Sequence, residues 1–217
     1  MSKLLNQYLE TRNHTTKLCA PLLIEDYIPQ AVEFTSPPKW HLAHTTWFFE
    51  KMILCKYADN YSVFNESFDF LFNSYYNTIG EKSQRNQRGL MTRPNVELVY
   101  NYRNHIDDHI AKLLSTEYTD EVKDLLILGI NHEQQHQELL LTDIKYILGN
   151  NPLLPVYSNA FVDHPVETHQ QDWISMEEGI YEIGHDSNAF CYDNELGRHK
   201  VYLQPYEISN KLVTNGE

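Results

Sequence analysis

Apolar residues fall at helical spacing in four stretches before residue 150 and alternate with polar ones after residue 173. Leu4, Leu5, Tyr8, Leu9, Thr15 and Leu18 outline an amphipathic helix over residues 4–19, which Pro21 ends. Residues 21–35, with Pro29 inside them, read as a short turn or broken helix. Ser36 as cap and Pro37-Pro38 in the first turn predict a second helix running to about Tyr57. On it Trp40, His44, Trp47 or Phe48, and Lys51 share a face, and the aromatic residues there fill a core or line a cavity. Thr92-Arg93-Pro94 repeats the cap-and-proline pattern and opens a third helix over about 94–116. Thr119-Asp120-Glu121 opens a fourth, which closes near Gly149-Asn150-Asn151-Pro152. Residues 151–172, holding Pro152, Pro155 and Pro165, read as a linker. Beyond it, Gly179–Gly184 and His199–Ile208 carry the alternation of strands. The expected organisation is a helical domain over 1–150, the linker, and the beginning of a second, β-rich domain over 173–217. Two or three strands make a poor core alone, so that second domain is expected to be incomplete.

The fourth helix contains Asn131-His132-Glu133-Gln134-Gln135-His136-Gln137-Glu138. Residues four apart lie about 40° apart around a helix, so His132 and His136 point the same way. Leu125, Gly129, Leu140, Asp143 and Ile147 share that face, which makes it a buried stripe with two imidazoles set into it. A buried ring nitrogen left unpaired costs on the order of 1–3 kcal/mol. A metal ion satisfies both rings at once; otherwise each needs a neighbouring side chain. Four long helices with an inward histidine pair describe a metal-binding four-helix bundle. His44 is centred among the aromatic residues of the second helix, and His41, about 60° round, lies on its flank. The same letters match His-Glu-x-x-His, the zinc-protease helix in which the Glu is the general base. The extended form of that motif needs Gly and His soon after, and Gln137 to Thr142 supply neither; a downstream ligand such as Glu167 lies beyond a proline-rich segment.

Residues 58–93 form a long connection rich in aromatic residues, among them Tyr61, Phe64, Phe68, Phe70, Phe72, Tyr75 and Tyr76. So long a connection is usually functional or disordered, and the aromatic content argues against disorder. It holds Arg85 and Arg88, with Arg93 nearby, a candidate clamp for a substrate carboxylate or else a set of solvent-facing arginines. His105 and His109 form a second pair four residues apart, but Arg103, Asp107, Asp108 and Lys112 around them suggest a solvated face.

Composition narrows the function classes. Net charge is −13, which argues against nucleic acid and anionic membranes as partners. The three cysteines, Cys19, Cys55 and Cys191, form no Cys-x-x-Cys pair and suggest free thiols in a reducing cytosol. No signal-like leader and no apolar stretch of about 18 residues is present, so a cytoplasmic location is expected.

The segments Ser36-Pro37-Pro38-Lys39-Trp40-His41-Leu42-Ala43-His44-Thr45-Thr46-Trp47-Phe48-Phe49-Glu50 and His132-Glu133-Gln134-Gln135-His136-Gln137-Glu138-Leu139 resemble the N-terminal DinB-like bundle of the ergothioneine-type sulfoxide synthases. Tyr75-Tyr76-Asn77 and Arg88-Gly89-Leu90-Met91-Thr92-Arg93-Pro94 agree with it. Gly179–Gly184, Phe190–Glu195 and Val213-Thr214-Asn215 resemble the opening of the C-type-lectin-like, sulfatase-modifying-factor domain that follows the bundle in that family. The resemblance implies a mainly α chain: a DinB-like four-helix bundle, a linker, and a truncated β-rich segment. It implies a non-haem Fe(II) site on His44, His132 and His136, and an O2-dependent reaction. That reaction joins the sulfur of cysteine or γ-glutamylcysteine to the imidazole of hercynine. Three neutral imidazoles leave open positions on one side of the ion for thiolate, imidazole and O2. Arg85 and Arg88 are candidates for the carboxylate of the thiol substrate, and Glu133 becomes a supporting residue. The family's second domain supplies the catalytic tyrosine, so the chain is expected to bind metal and to be incomplete as a catalyst. Three alternatives stay open: a stand-alone DinB-like thiol transferase holding Zn or Ni on the same histidines, a zinc protease, and a non-enzymatic bundle with core histidines.

Overall fold

Pro-Pro at the mouth of a run of large apolar and aromatic residues starts a helix that has no polar face. In the computed structural model, which describes residues 2–74, 82–159 and 170–217, this helix is α2 (Pro38–Phe49), and all twelve of its residues are buried. A helix with no side turned to solvent belongs in a core, and its polar residues, Lys39, His41, His44, Thr45 and Thr46, are buried with the rest. Around it lie α1 (Lys3–Cys19), α5 (Val96–Leu113) and α6 (Asp120–Gly149). α2 packs on both α5 and α6, and α1 packs on α6 and α2. Tyr75, Tyr76, Asn77, Pro165 and Glu167, named above, lie outside the described residues.

Local chemistry sets the helix starts. The Ser2, Asn95 and Thr119 side chains accept from the N–H groups of Leu5, Leu98 and Val122, at 3.2, 2.9 and 3.4 Å. Two expectations shift. Asn95, not Thr92, caps α5. Ser36 does not cap α2, because its side chain accepts from Arg88 Nη1 (2.9 Å) and its N–H donates to Asp143 Oδ2 (2.8 Å). The second helix does reach Tyr57, but through a π turn at Glu50–Leu54 followed by the short α3 (Cys55–Tyr57). The long connection contains α4 (Ser67–Phe72) and a 3-10 turn at Arg85–Leu90.

Gly129 explains how closely α6 approaches α2. A Cβ there would lie 2.4 Å from Phe49 Cε1 and 2.9 Å from Phe48 Cε1, so a bare backbone is needed at the crossing. A buried charged cluster ties four helices together. Glu133 on α6, fully buried, accepts from Arg12 Nη1 of α1 (2.8 Å), Arg103 Nη2 of α5 (2.9 Å) and Thr15 Oγ1 of α1 (2.6 Å). Arg12 Nη2 also donates to Thr46 Oγ1 (2.9 Å), and Arg103 Nη1 to the Leu42 carbonyl (3.0 Å), both on α2.

The chain divides into two units, Met1–Asn159 and Ala160–Glu217. In the second, β1 (Trp173–Met176) pairs antiparallel with β4 (Tyr206–Ser209), Trp173 opposite Ser209. β2 (Gly179–Ile183) pairs antiparallel with β3 (His199–Leu203), Gly179 opposite Leu203. The run expected over 199–208 is thus two strands, interrupted at Gln204-Pro205, where proline has no N–H for a ladder. None of the described residues of this unit is buried; Ile180, Trp173 and Tyr202 are largely exposed. The molecule is mainly α with a small antiparallel β part, and among the described residues no helix is long and apolar enough to cross a membrane.

Candidate metal centre

His44 sits in the middle of α2, and His132 and His136 lie one turn apart on α6. The crossing of the two helices brings them together: one nitrogen from each lies within 4.8 Å of the others. Among the described residues this is the one group of His, Cys, Asp and Glu side chains clustered tightly enough to hold an ion. His44 is 1% exposed and His136 9%, with His132 partly buried.

The surroundings prepare His44 as a ligand. Its Nδ1–H donates to the Phe72 carbonyl at 2.6 Å, one of the last carbonyls of α4, which have no partner within that helix. That bond leaves the lone pair on Nε2, which is buried and has no hydrogen-bond partner among the described residues. The ring is stacked between two indoles, Trp40 at 4.5 Å and 11° and Trp47 at 6.0 Å and 18°. Trp40 is held by its Nε1–H on the Leu71 carbonyl (3.2 Å), and Trp47 by its Nε1–H on Asp69 Oδ1 (2.7 Å). His132 Nδ1 is likewise buried without a partner. Two buried imidazole nitrogens without a hydrogen-bond partner among the described residues, on rings that converge in one cluster, make a donor set that fits a metal.

Electrostatics agree. Burial, then the neighbouring His132, pushes His44 well below the ordinary histidine range, and burial alone takes His132 down to about 4. His136 is also driven well down by burial and by His44 and His41. The three rings are therefore neutral near pH 7, the form that binds metal, and no proton has to leave first.

His41 occupies a more central place than its position on the flank of α2 suggested. It is 2% exposed, its Nδ1 lies 2.9 Å from His136 Nδ1, and its Nε2 lies 2.9 Å from Asp143 Oδ2. Asp143 was visible in the sequence as a polar residue on the buried stripe of α6; its partner on another helix was not.

The two arginines separate. Arg88 is buried, with its guanidinium 3.3 Å from the centre of the Trp40 ring, on a donor network with Ser36 Oγ and Ser74 Oγ (3.2 Å). Its charge is felt by His41, His44 and His136, each of which it disfavours as a cation. Arg85 is exposed and donates to the Phe34 carbonyl. Glu133 is turned away from the histidines. Among the described residues its partners are Arg12, Arg103 and Thr15, and the two guanidiniums hold its carboxyl down at about 2. A general base needs a lone pair facing substrate, whereas this carboxylate is fully buried and both its oxygens are held by core donors. The second pair, His105 and His109, is half-buried rather than solvated: the rings pack on Phe64 (5.2 Å) and Tyr61 (5.2 Å). No family model matches the chain, and no curated protein matches it.

Proposed function

We propose that the helical unit is a DinB-like four-helix bundle whose His44, His132 and His136 hold one Fe(II), and that it is the metal-binding part of a sulfoxide synthase of the ergothioneine type. The observation that carries this reading is the meeting of the two motifs. Residues from segments about ninety positions apart put three neutral imidazoles within 4.8 Å, two of them with buried unpartnered nitrogens. Held by His44, His132 and His136, an Fe(II) ion would supply O2 activation for joining a thiol to an imidazole. The overall balance uses one O2: the thiol S–H and the imidazole C–H are lost, a C–S bond forms, one oxygen atom ends on sulfur and the other in water.

The residues of the chain have separable parts in this. The Phe72 carbonyl and the flanking indoles fix the His44 ring. Arg88 places a buried positive charge beside the histidines, suited to drawing in the carboxylate of cysteine or γ-glutamylcysteine. Arg85, on the exposed side of the same turn, is suited to the outer part of such a substrate. Hercynine, a betaine, and O2 complete the set of partners, and neither nucleic acid nor membrane enters. The reading places the chain in the cytoplasm.

The test is an anaerobic Fe(II) titration followed by NO binding, with and without cysteine and hercynine. One Fe(II) per chain, with an NO spectrum that changes on adding cysteine, is expected. A site that takes Zn or Ni in preference and ignores both substrates would point to the thiol-transferase reading, and a chain that binds no metal would end the three-histidine reading.

A further inference from the structure

The contact between Asp143, His41 and His136 has a direction that hydrogen-bond chemistry determines. Asp143 Oδ2 accepts the Ser36 N–H at 2.8 Å and lies 2.9 Å from His41 Nε2. A carboxylate oxygen only accepts, so His41 donates from Nε2 and, as a neutral ring, keeps its lone pair on Nδ1. His41 Nδ1 then accepts, and the group 2.9 Å away that donates to it is His136 Nδ1–H. His136 with its proton on Nδ1 has its lone pair on Nε2, the nitrogen left for an ion. Reversing any one bond in the row would face two lone pairs or two protons across 2.9 Å. The row is built from three elements: Ser36 in the turn before α2, His41 on α2, and Asp143 two turns beyond His136 on α6.

We propose that Asp143 and His41 are positioning residues that set the tautomer and ring orientation of His136 for metal binding. Ligand histidines commonly donate their second N–H to a carboxylate or carbonyl, and losing that partner costs about 10–100-fold in metal affinity. His44 has such a partner in the Phe72 carbonyl; His136 has one in a carboxylate reached through a second imidazole. The arrangement makes the turn at Ser36 part of the metal centre, since its N–H orients Asp143 while its hydroxyl accepts from Arg88.

This inference rests on the three-histidine metal reading, and the experiment separates the two. Fe(II) and Co(II) affinities are measured on the full chain for the native protein, His41→Leu and His41→Asn. Leu and Asn share the same branched outline of side-chain heavy atoms, but only Asn offers an oxygen where His41 Nδ1 stood. His41→Leu is expected to bind about 10–100-fold more weakly, with an altered Co(II) absorption spectrum, and His41→Asn to recover most of the loss. A purely packing role for His41 predicts the reverse order, since Leu suits an apolar core better, and that result overturns the inference. Failure of the native chain to bind either metal overturns the metal reading beneath it. Should His41→Leu not fold, histidine-selective 15N NMR of the metal-free native chain decides: His136 as the Nδ1–H tautomer supports the relay, and the Nε2–H tautomer overturns it.

Discussion

Two pairs of histidines four residues apart lie in this molecule, and their fates differ. His132 and His136 on α6 have ring centres 4.7 Å apart, and His105 and His109 on α5 have theirs 4.2 Å apart. Both pairs touch aromatic rings, and each has a buried nitrogen without a partner among the described residues, His132 Nδ1 in one and His105 Nε2 in the other. What separates them is the element each faces. α2 brings His44 and His41 to the first pair, whereas Tyr61 and Phe64 from the connection cover the second. His109 Nδ1–H donates to the His105 carbonyl of its own helix at 2.8 Å, a bond the helix can make alone. His136 Nδ1 finds its partner on another helix. Helical spacing makes two imidazoles neighbours; a third ligand and an outer partner from elsewhere make a site.

Substitutions can break this contrast in order of expected effect. Removing a ligand should do most: His44→Ala, His132→Ala or His136→Ala should lose metal beyond the roughly 10–100-fold expected for an outer partner. His105→Ala and His109→Ala should leave one metal per chain, as read by elemental analysis after gel filtration. Next comes the anchor that aims the first pair. Glu133→Ala strands Arg12 and Arg103 in the core and should cost about 3–5 kcal/mol in urea unfolding of the metal-free chain. Acid should act next. His132 titrates at about 4 in the folded chain, against 6.5 when unfolded. Below pH 6.5 the unfolded chain takes up a proton that the folded one refuses, so stability falls with pH, by up to about 1.4 kcal/mol per unit for each such histidine. Metal-free stability should be flat from this source above pH 6.5, and His132→Ala should reduce the slope between pH 6.5 and 4.5. The smallest effect expected is at the helix crossing. Gly129→Ala gains up to about 1 kcal/mol in helix propensity but pushes on Phe48 and Phe49, an overpacking cost of about 1–3 kcal/mol. A small net loss of stability with weakened metal binding should follow, and unchanged metal affinity would show that the helix separation does not tune the site.

Much of this was legible in the chain, for physical reasons that can be named. α1 and α6 were visible because their apolar periods are long, and Thr119-Asp120-Glu121 marked the start of α6. The pair was visible because His132 and His136 share a stripe, and His44 joined them through the resemblance of its segment, its place among aromatic residues being compatible with that. The rest depended on contacts distant in sequence. Ser36 looks like a cap in isolation, but Asp143 and Arg88 claim its groups from 107 and 52 residues away. His41 could be placed on a flank of α2 but not against α6. Arg85 and Arg88 have the same local chemistry, and only the turn at Arg85–Leu90 buries one and exposes the other. The surroundings of His105 and His109 read as solvated because Asp107 is charged, yet Asp107 accepts from Arg12 Nε at 2.7 Å and the rings lie under aromatic cover.

The stacking of His44 between Trp40 and Trp47 has an optical consequence. An open-shell ion on that imidazole lies one ring away from two excited indoles and offers them a path for electron or energy transfer, so filling the site should darken their emission. The chain has three tryptophans, and the third, Trp173, is 58% exposed on β1 and is expected to emit to the red as a hydrated indole. Blue-side fluorescence is therefore expected from the pair beside the histidines, and its loss on adding an open-shell ion such as Co(II) would report filling of the site.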